Sequence, residues 1–342
     1  MHRPIHNPVE ALRKNPFVLA PMAGITDHAF RSFMKAKSAG VVVTELVSAM
    51  AVEHQSQKSF DIMSFDSSQH PIGIQLFGED PDIMANAAQA VEDAGADFVD
   101  LNFGCPVPKV VKKGGGSAIL KDLRALKKVL RTVKSAINIP LTIKIRTGWD
   151  AQMRNSFDVC ALAADEGVSW VAIHGRTRAQ GYSGVADWNY IAEVKAKAQL
   201  PVLGNGDITS AKIAVQRLKE SGCDGVLIGR GCLKNPFIFE DAMALWKNEA
   251  PSTSQRSMAD LFRELERNLV SHCDDYIVPL QLKKFAAWYS AGYPGAALFR
   301  KLIFQMKSHD EIMSFALQFF HSITLSAQED TSQEEFLMGG HG

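Results

Sequence analysis

The chain has 342 residues, of which 46% are hydrophobic and 22% are charged, and its formal net charge is zero. Its length allows a barrel-sized domain with a small second domain, and its composition is that of an ordinary soluble globular protein. No apolar run approaches the length of a membrane span, and the N-terminus lacks the charged-then-apolar order of a signal peptide. We therefore expect a cytoplasmic, monomeric protein without a membrane partner.

Short apolar runs alternate with amphipathic stretches along most of the chain. The apolar runs predict eight strands: Phe17–Ala20, Val41–Thr44, Ile72–Leu76, Phe98–Asn102, Leu141–Ile145, Trp170–His174, Val202–Asn205 and Gly225–Ile228. The amphipathic stretches predict helices: Asp27–Ala36, Asp82–Ala94, Leu123–Ser135, Ser156–Glu166, Asn189–Ala198, Ser210–Glu220 and Pro236–Trp246. This alternation is typical of an α/β fold of the (β/α)8 TIM-barrel type. A doubly wound open sheet is the alternative, but no GxGxxG motif follows the first strand.

The alternation stops near Asn248, where a polar, linker-like stretch begins. Beyond it the periodicity predicts helices only: Leu261–Cys273, Pro279–Ser290, Pro294–Lys307 and Asp310–Ser326. We therefore divide the chain into a TIM-barrel domain (residues 1–248), a C-terminal all-helical domain (255–327) and a disordered tail (328–342).

The five cysteines are odd in number, and none has CxxC spacing. This pattern argues against a disulfide framework and a structural zinc site, and we assign no metal ligands. Cys160 and Cys223 lie in apolar contexts typical of core packing. Cys105 differs, because it follows a predicted strand and is flanked by Gly104 and Pro106, which turn the chain away from the sheet. Its thiol is expected at a strand end, where α/β enzymes carry reactive groups.

Basic residues are concentrated after this cysteine, although the whole chain is neutral. Residues 103–154 contain twelve lysines and arginines but only two aspartates. Such asymmetry gives a neutral protein a local binding surface for an anionic polymer. The basic residues over 121–134 fit a solvated helix face better. Lys109, Lys112 and Lys113, in a basic loop that we expect to be flexible, are assigned to phosphate contacts.

The loops after the seventh and eighth strands are rich in glycine. They read Gly204-Asn205-Gly206-Asp207 and Gly229-Arg230-Gly231. TIM barrels often bind phosphate with these two loops through backbone N–H groups, and an arginine suits forked phosphate contacts. Glycines that merely permit tight turns are the alternative, but two such loops in these positions favour a phosphate site.

Two ionisable residues are expected in the barrel mouth. Lys144 lies within the apolar fifth strand, and because burial of an unpaired ammonium is costly, it should meet an anionic or carbonyl partner. It is either a Schiff-base lysine, as in an aldolase, or a cation that neutralises a cofactor. His174 ends the sixth strand. A lone histidine is often structural, but the neighbouring Lys144 strand favours a role in the site.

Seven motifs on the predicted strand ends resemble those of the tRNA-dihydrouridine synthases, in order between about residues 17 and 239. They are Ala20-Pro21-Met22-Ala23-Gly24-Ile25-Thr26-Asp27, Gln75-Leu76-Phe77-Gly78, Asn102-Phe103-Gly104-Cys105-Pro106, Lys144-Ile145-Arg146-Thr147-Gly148-Trp149, His174-Gly175-Arg176-Thr177, Asn205-Gly206-Asp207 and Gly229-Arg230-Gly231. The segment 107–111 resembles the B-type bacterial branch. The C-terminal helices match the family less closely, since Lys283-Lys284-Phe285 stands where the B-type pattern tends to have Arg-Lys-His.

The resemblance implies an FMN enzyme that reduces the C5=C6 bond of selected uridines in tRNA to 5,6-dihydrouridine, with NADPH as electron source. It implies a set of residues around the flavin: Pro21, Met22, Ala23, Gln75, Lys144, His174, Asn205, Gly206, Asp207, Gly229 and Arg230. Lys144 would lie at the N1/O2 edge of the ring, and the last five residues would hold the ribityl phosphate. Asn102 would position the uracil.

Within that chemistry Cys105 is assigned as the general acid. Flavin N5 would deliver a hydride to C6 of the uracil, and the carbanion that results needs a proton at C5. A free thiol is mostly protonated near neutral pH, and burial keeps it so. A nucleophilic thiolate would need the opposite environment.

The uridine must be extruded, because a flavin cannot reach a stacked base. Contacts with the RNA substrate are predicted for Asn102, Lys109, Lys112, Lys113, Arg146, Arg176 and Arg178. The aromatic residues among the C-terminal cations fit a helical core better than an RNA surface. Two rival functions stay open: an FMN barrel that acts on a free pyrimidine or an enone, and a tRNA-binding chaperone without catalysis.

Overall fold

Eight parallel strands close into a barrel in sequence order, and the eighth pairs with the first. The computed structural model describes residues 6–252 and 256–325. The strands are β1 (Phe17–Leu19), β2 (Val41–Ser48), β3 (Ile72–Phe77), β4 (Phe98–Phe103), β5 (Leu141–Arg146), β6 (Trp170–His174), β7 (Val202–Asn205) and β8 (Gly225–Ile228). Each of them overlaps a predicted strand, so the predicted TIM barrel is confirmed.

Helices follow the strands around the outside of the barrel and continue alone at the C-terminal end. They are α1 (Pro8–Lys14), α2 (His28–Ala36), α3 (Ala49–Glu53), α4 (Gln57–Met63), α5 (Pro81–Asp93), α6 (Pro108–Val111), α7 (Leu123–Ala136), α8 (Ser156–Asp165), α9 (Trp188–Lys197), α10 (Ala211–Ser221), α11 (Gly231–Lys234), α12 (Ile238–Trp246), α13 (Met258–His272), α14 (Val278–Tyr289), α15 (Ala296–Ile303) and α16 (His309–Ser322). Two 3₁₀ helices, Ser67–Gln69 and Gly116–Lys121, complete the set. Helices α1, α3, α4, α6 and α11 were not predicted, because segments this short show no clear period.

Side chains fill the barrel and leave no room for a channel at its amino end. The rings of Phe98 and Trp170 meet edge to face, with their centroids 5.0 Å apart. A Cβ atom on Gly73 would lie 2.2 Å from the Phe98 ring, so only glycine fits there. Leu12 of α1 packs on the same cluster and touches the start of β8 at Gly225. Helix α1 thus closes the amino end of the barrel, and the opposite end is left for the site.

The C-terminal helices enclose an aromatic core of their own. Trp288, Tyr289, Tyr293 and Phe299 are all buried, which confirms that the aromatic residues near the C-terminal cations belong to the core. Phe285 is buried as well and stacks on Phe30 of α2 at 5.3 Å. The residue that departs from the B-type pattern therefore joins the helices to the barrel.

The chain passes from the barrel to the C-terminal helices between the end of α12 at Trp246 and the start of α13 at Met258. The division at residues 248 and 255 stays a prediction, and the tail over 328–342 lies outside the described residues. Cys160 and Cys223 are buried free thiols, which confirms their assignment to the core. Across the described ranges, every helix is too short or too polar to cross a membrane.

Candidate active site at the carboxyl ends of the strands

Cys105 lies in a tight turn just after β4, and hydrogen bonds on both sides fix its backbone. The side-chain oxygen of Asn102 accepts from the backbone N–H of Gly104 at 3.1 Å and of Cys105 at 2.8 Å. The carbonyl of Cys105 accepts from the backbone N–H of Ser117 at 3.1 Å and from its hydroxyl at 2.9 Å. The residue is only 8% exposed. The backbone of Cys105 is therefore fixed, and its side chain has little contact with water.

Gly116, the last glycine of the basic loop, packs against this turn. Gly116 has a left-handed φ of +57°, and a Cβ atom there would lie 2.8 Å from the carbonyl oxygen of Cys105. Gly115, Gly116 and Ser117 are buried, and residues 116–121 form a 3₁₀ helix. The flexibility of the loop stays a prediction. Close approach to Cys105 is the reason that position 116 is glycine.

Behind the turn, a chain of hydrogen bonds runs from the cysteine to a buried carboxylate. Asn102 donates to the side-chain oxygen of Gln75 at 2.8 Å, and Gln75 donates to Asp100 at 2.6 Å. The hydroxyl of Thr142 donates to the other oxygen of Asp100 at 2.6 Å. Because a carboxylate only accepts, Asp100 sets the orientation of both amides in turn. As a result, the side-chain oxygen of Asn102 faces the backbone N–H of Cys105.

Sequence analysis missed Asp100 and Thr142, which lie among the apolar residues of β4 and β5. Burial raises the pKa of Asp100, while the hydrogen bonds from Gln75 and Thr142 lower it. Gln75 and Asn102, which were predicted to face the flavin and the uracil, have each other as partners. Both can still offer the second hydrogen of their amide groups.

Lys144 lies on β5 in register with Asn102 on β4. Burial, and to a smaller extent the nearby Arg146, lower its pKa to about 8, while Asp100 opposes the shift. Within the described ranges its ammonium group has no hydrogen-bond partner. The expected need for an anionic or carbonyl partner is thus unmet inside the protein.

His174 ends β6 beside Arg146 of β5 and is a neutral imidazole. Its pKa is lowered well below the usual range by burial, and further by Lys144, Arg146 and other nearby cations. Its Nε2 lies 3.3 Å from a guanidinium nitrogen of Arg176. Because arginine only donates, Nε2 accepts this bond and the ring proton is on Nδ1.

Arg176 is fully engaged within the protein. It forms an ion pair with Asp207, with contacts of 2.9 Å to each carboxylate oxygen, and it also donates to the carbonyls of Ser183 and Gly184. All three nitrogens of its guanidinium group have acceptors, and the residue is buried. The predicted contact of Arg176 with RNA phosphates stays a prediction. The carboxylate of Asp207 anchors Arg176 and accepts from the N–H of Ala186.

Arg146 is buried too, and it connects three segments at the mouth. Its Nε donates to the carbonyl of Gly104 at 2.8 Å, and its Nη1 donates to those of Thr177 and Gly181 at 3.0 and 2.7 Å. Among the described residues its Nη2 has no acceptor. Nη2 is therefore the one nitrogen of this guanidinium group that remains for the predicted substrate contact.

Tyr182, in the loop between β6 and α9, is a residue that sequence analysis missed. It is 56% exposed, and the guanidinium groups of Arg146 and Arg230 lie 5.7 and 5.0 Å from its ring centroid. The His174 ring is 6.4 Å away. A lone tyrosine between glycines carries no periodic signal, and only the fold brings it over the cations.

The two glycine-rich loops follow β7 and β8, and the second of them adjoins the turn after β1. Gly206 and Asp207 have positive φ angles of +127° and +52°. Among the described residues, the backbone N–H groups of Gly206, Asp207 and Gly229 donate to no acceptor. A Cβ atom on Gly229 would lie 3.6 Å from the sulfur of Met22, so the loops after β8 and β1 adjoin. Unpartnered N–H groups of this kind suit a phosphate.

Other predicted residues lie on the rim of the mouth. The side chain of Asn205 donates to the carbonyl of Leu227 at 2.9 Å, so its amide holds the loop. Pro21 is half-buried and Ala23 is exposed. The outer rim carries cations: Lys109, Lys112 and Lys113 are exposed on and after α6, and Arg178 stacks on Trp149 at 4.5 Å, next to Lys121.

Comparison with known proteins extends these observations. A family model described as dihydrouridine synthase matches residues 18–324. A relative from Rickettsia bellii, named probable tRNA-dihydrouridine synthase, is 38% identical over 312 residues, which cover 90% of this chain and 95% of the relative. The tRNA-dihydrouridine synthase B of Pseudomonas putida is 38% identical over 294 residues, which cover 84% of this chain and 86% of the relative.

Among solved structures, the histamine dehydrogenase of Rhizobium sp. 4-9 aligns with a TM-score of 0.54 at 14% identity, and the match covers 76% of this chain and 49% of that one. At this identity the likeness concerns the barrel fold alone. The family model and the curated relatives, by contrast, span most of the chain. On this basis the chain belongs to the dihydrouridine synthase family.

Proposed function

We propose that this protein is a tRNA-dihydrouridine synthase that reduces the C5=C6 bond of uridines in tRNA, with FMN as bound cofactor and NADPH as electron donor. The observation that carries the proposal is the turn after β4, where Asn102 and Ser117 fix Cys105 next to the strand of Lys144. The reaction named for the curated relatives needs a positioned proton donor beside a bound anionic cofactor. Cys105 can supply the proton, and Lys144 can supply the positive charge that the anion needs.

The barrel mouth has the groups that FMN requires. Lys144 is a half-buried cation without a partner among the described residues, and an anionic ring edge would supply one. The unpartnered N–H groups of Gly206, Asp207 and Gly229 suit phosphate oxygens, and Arg230 adds positive charge at the same end. When bound, FMN supplies the hydride for uracil C6, with electrons from NADPH.

Cys105 delivers the proton that completes the reduction. Its thiol gives a proton to C5 of the uracil as the C6–H bond forms, and the slight exposure of the residue allows water to restore that proton. Asn102 fixes the Cys105 backbone with its oxygen and can hold the uracil with its free amide hydrogen. Because its imidazole is neutral, His174 offers Nδ1–H as a hydrogen-bond donor to the cofactor and does not compete as an acid.

The rim is suited to the RNA around an extruded uridine. Lys109, Lys112 and Lys113 are exposed close to Cys105 along the chain, and Tyr182 presents an exposed ring over the mouth. Lysines would contact phosphates, and the ring would stack against a base. We extend the proposal to residues 255–327 as a tRNA-binding domain, and to a monomer that works in the cytoplasm.

The test uses the purified full-length protein loaded with FMN. With NADPH and tRNA from a strain that lacks dihydrouridine synthases, we expect dihydrouridine at specific positions, measured by mass spectrometry of tRNA digests. Reduction of free uracil, uridine or a small enone at a comparable kcat/KM would favour the free-pyrimidine rival. A protein that binds tRNA but stays colourless after FMN is added would favour the chaperone and contradict the proposal.

A further inference from the structure

Two imidazoles and one carboxylate meet where the C-terminal helices contact the barrel, outside the residues assigned to the site. His28 begins α2, Asp66 precedes the 3₁₀ helix Ser67–Gln69, and His272 ends α13. Their potential ligand atoms all lie within 4.8 Å of one another. The three residues are far apart in sequence, so no spacing motif marks them, and the cysteine pattern carries no information about them.

Both imidazoles direct the same nitrogen at the same oxygen. Nε2 of His28 lies 3.1 Å from Oδ2 of Asp66, and Nε2 of His272 lies 3.3 Å from that atom. On the far side of its ring, Nδ1 of His272 lies 2.7 Å from the carbonyl oxygen of Asn268. A carbonyl only accepts, so this Nδ1 carries the proton and Nε2 of the neutral ring has a lone pair.

The same argument applies to His28. Its Nδ1 lies 3.5 Å from the hydroxyl oxygen of Ser64, and that hydroxyl donates its own hydrogen to the carbonyl of Asp61 at 2.6 Å. Ser64 can therefore accept from Nδ1 of His28, although this contact is longer than a normal hydrogen bond and leaves both tautomers of the ring open. With Nδ1 protonated, two lone pairs and one carboxylate oxygen face one another, and a proton or a metal ion between them balances the negative charge.

The hydrogen bonds around the three groups are those that support metal ligands. The other oxygen of Asp66, Oδ1, accepts from the backbone N–H of Ser68 at 2.7 Å and from its hydroxyl, so Oδ2 is left for an ion. Metal-binding histidines usually donate their second N–H to a backbone or side-chain oxygen, as His272 does to the carbonyl of Asn268. Around tetrahedral Zn²⁺, ligand atoms at roughly 2.0–2.1 Å from the metal lie roughly 3.3 Å apart. The two nitrogen–oxygen separations of 3.1 and 3.3 Å match this spacing, and the two ring nitrogens lie within 4.8 Å of each other.

We propose that His28, Asp66 and His272 bind a divalent transition-metal ion of the Zn²⁺ type, through Nε2, Oδ2 and Nε2, with a water in the fourth position. Two imidazoles and a carboxylate form a common ligand set for such ions. The ion connects α13 to α2 and to the segment between β2 and β3, and so ties the C-terminal helices to the barrel. This site does not depend on the proposed enzymatic function.

In a second cluster, both oxygens of the carboxylate already accept hydrogen bonds from protein groups. Asp97 accepts from the backbone N–H of His6 with one oxygen, at 3.0 Å. Its other oxygen accepts from the N–H of Ile72 at 2.8 Å and lies 2.5 Å from Nδ1 of His70. Both oxygens are occupied by protein donors, so His6, His70 and Asp97 form a hydrogen-bonded group and not a metal site.

The test is Zn²⁺ titration of the chelator-treated, full-length protein against a chromophoric competitor. We expect one Zn²⁺ per chain, with a melting temperature a few degrees higher at saturation. H272Q and D66N should bind Zn²⁺ at least ~100-fold more weakly, since each removes a direct ligand. H321Q is the matched control: Nδ1 of His321 also lies 2.7 Å from a carbonyl, that of Leu317, but no described carboxylate pairs with this ring. Its affinity should equal that of the wild type.

Wild-type protein that takes up no stoichiometric Zn²⁺ would overturn the proposal, and would mean that protons alone hold the three groups together. Equal Zn²⁺ affinity of H272Q and the wild type would also overturn it. The wild-type stoichiometry is decisive even if a variant fails to fold. Co²⁺ gives a second measurement on the wild type, because a tetrahedral site with two nitrogen ligands produces intense visible absorption that an octahedral aquo ion lacks.

Discussion

The two sides of the barrel mouth are built by different interactions. On the cysteine side (Gln75, Asp100, Asn102 and Cys105), hydrogen bonds of 2.6–2.8 Å connect a buried carboxylate to a small reactive group. On the cationic side (Lys144, His174, Arg176, Asp207 and Arg230), charges dominate, and one ion pair holds the arginine that flanks His174. In the proposed function, the first side fixes geometry for proton transfer and the second side supplies charge for a bound anion. Substitutions on the two sides should therefore have separable effects.

Replacement of the cysteine should have the largest effect. We expect C105A to reduce uridine about 10²–10⁴-fold more slowly, the usual contribution of a general acid, while FMN remains bound. C160A is the matched control, because Cys160 is a buried thiol of α8 remote from the strand ends. Dihydrouridine yield per bound flavin is the measurement. Equal losses in both variants would mean that packing, and not proton transfer, explains the effect.

The cationic side should respond through cofactor affinity. Because the pKa of Lys144 is lowered to about 8, most of the lysine is charged at pH 7, and the charge is lost as the pH rises through 8. We expect the FMN dissociation constant of the wild type to rise above about pH 8. K144M should bind FMN about 10–100-fold more weakly at pH 7, the value of a lost charged hydrogen bond, and without this pH dependence. K144R should retain affinity to higher pH. An identical pH profile in K144M would assign the dependence to another group.

A variant of Asp100 tests whether orientation on the cysteine side matters. In D100N, the new amide can donate to Gln75, which allows Gln75 and then Asn102 to turn around and lose the bond to the Cys105 turn. We expect kcat to fall about tenfold at unchanged FMN affinity, the cost of an unsatisfied buried group. T142V removes one bond to Asp100 and should have a smaller effect in the same direction. A loss of FMN affinity equal to the loss in kcat would erase the distinction between the two sides.

The rim lysines should give the smallest effect on chemistry. Simultaneous replacement of Lys109, Lys112 and Lys113 by alanine should weaken tRNA binding several-fold at physiological salt. The slope of log K against the logarithm of the salt concentration should become less steep by about 2–3, since each phosphate contact contributes about 0.7–0.9 to it. Loss of three basic residues of α7 (Lys127, Lys128 and Lys134) is the control for net charge. Fluorescence anisotropy with labelled tRNA measures both, and equal salt slopes in the two variants would assign binding to overall charge.

The barrel could be predicted from the sequence because its signals are local. Each strand is a short apolar run, and the carboxyl ends of the strands must share one face, so Cys105, Lys144 and His174 could be grouped before any coordinates. Even the core role of Tyr289 and Phe299 followed from helical spacing alone. Local periodicity was sufficient for all of these.

The hydrogen-bond and ion-pair partners of the site residues could not be predicted, because they depend on contacts between segments that are distant in the sequence. Asp100 occurs in an apolar strand and acquires its role only through Gln75 and Thr142 on the neighbouring strands. Arg176 carries the same charge whether it faces a phosphate or Asp207, and only the positions of the loops decide. Sequence analysis thus grouped these residues at the strand ends but could not predict their contacts.

Transient kinetics of C105A tests the central claim most directly. NADPH-reduced wild type and C105A are each mixed without oxygen with tRNA that lacks dihydrouridine, and flavin absorbance is followed. We predict that NADPH reduces both proteins at similar rates, and that the tRNA reoxidises the wild type at least ~100-fold faster than C105A. Reoxidation of C105A by this tRNA at the wild-type rate would contradict the assignment of Cys105 as the proton donor.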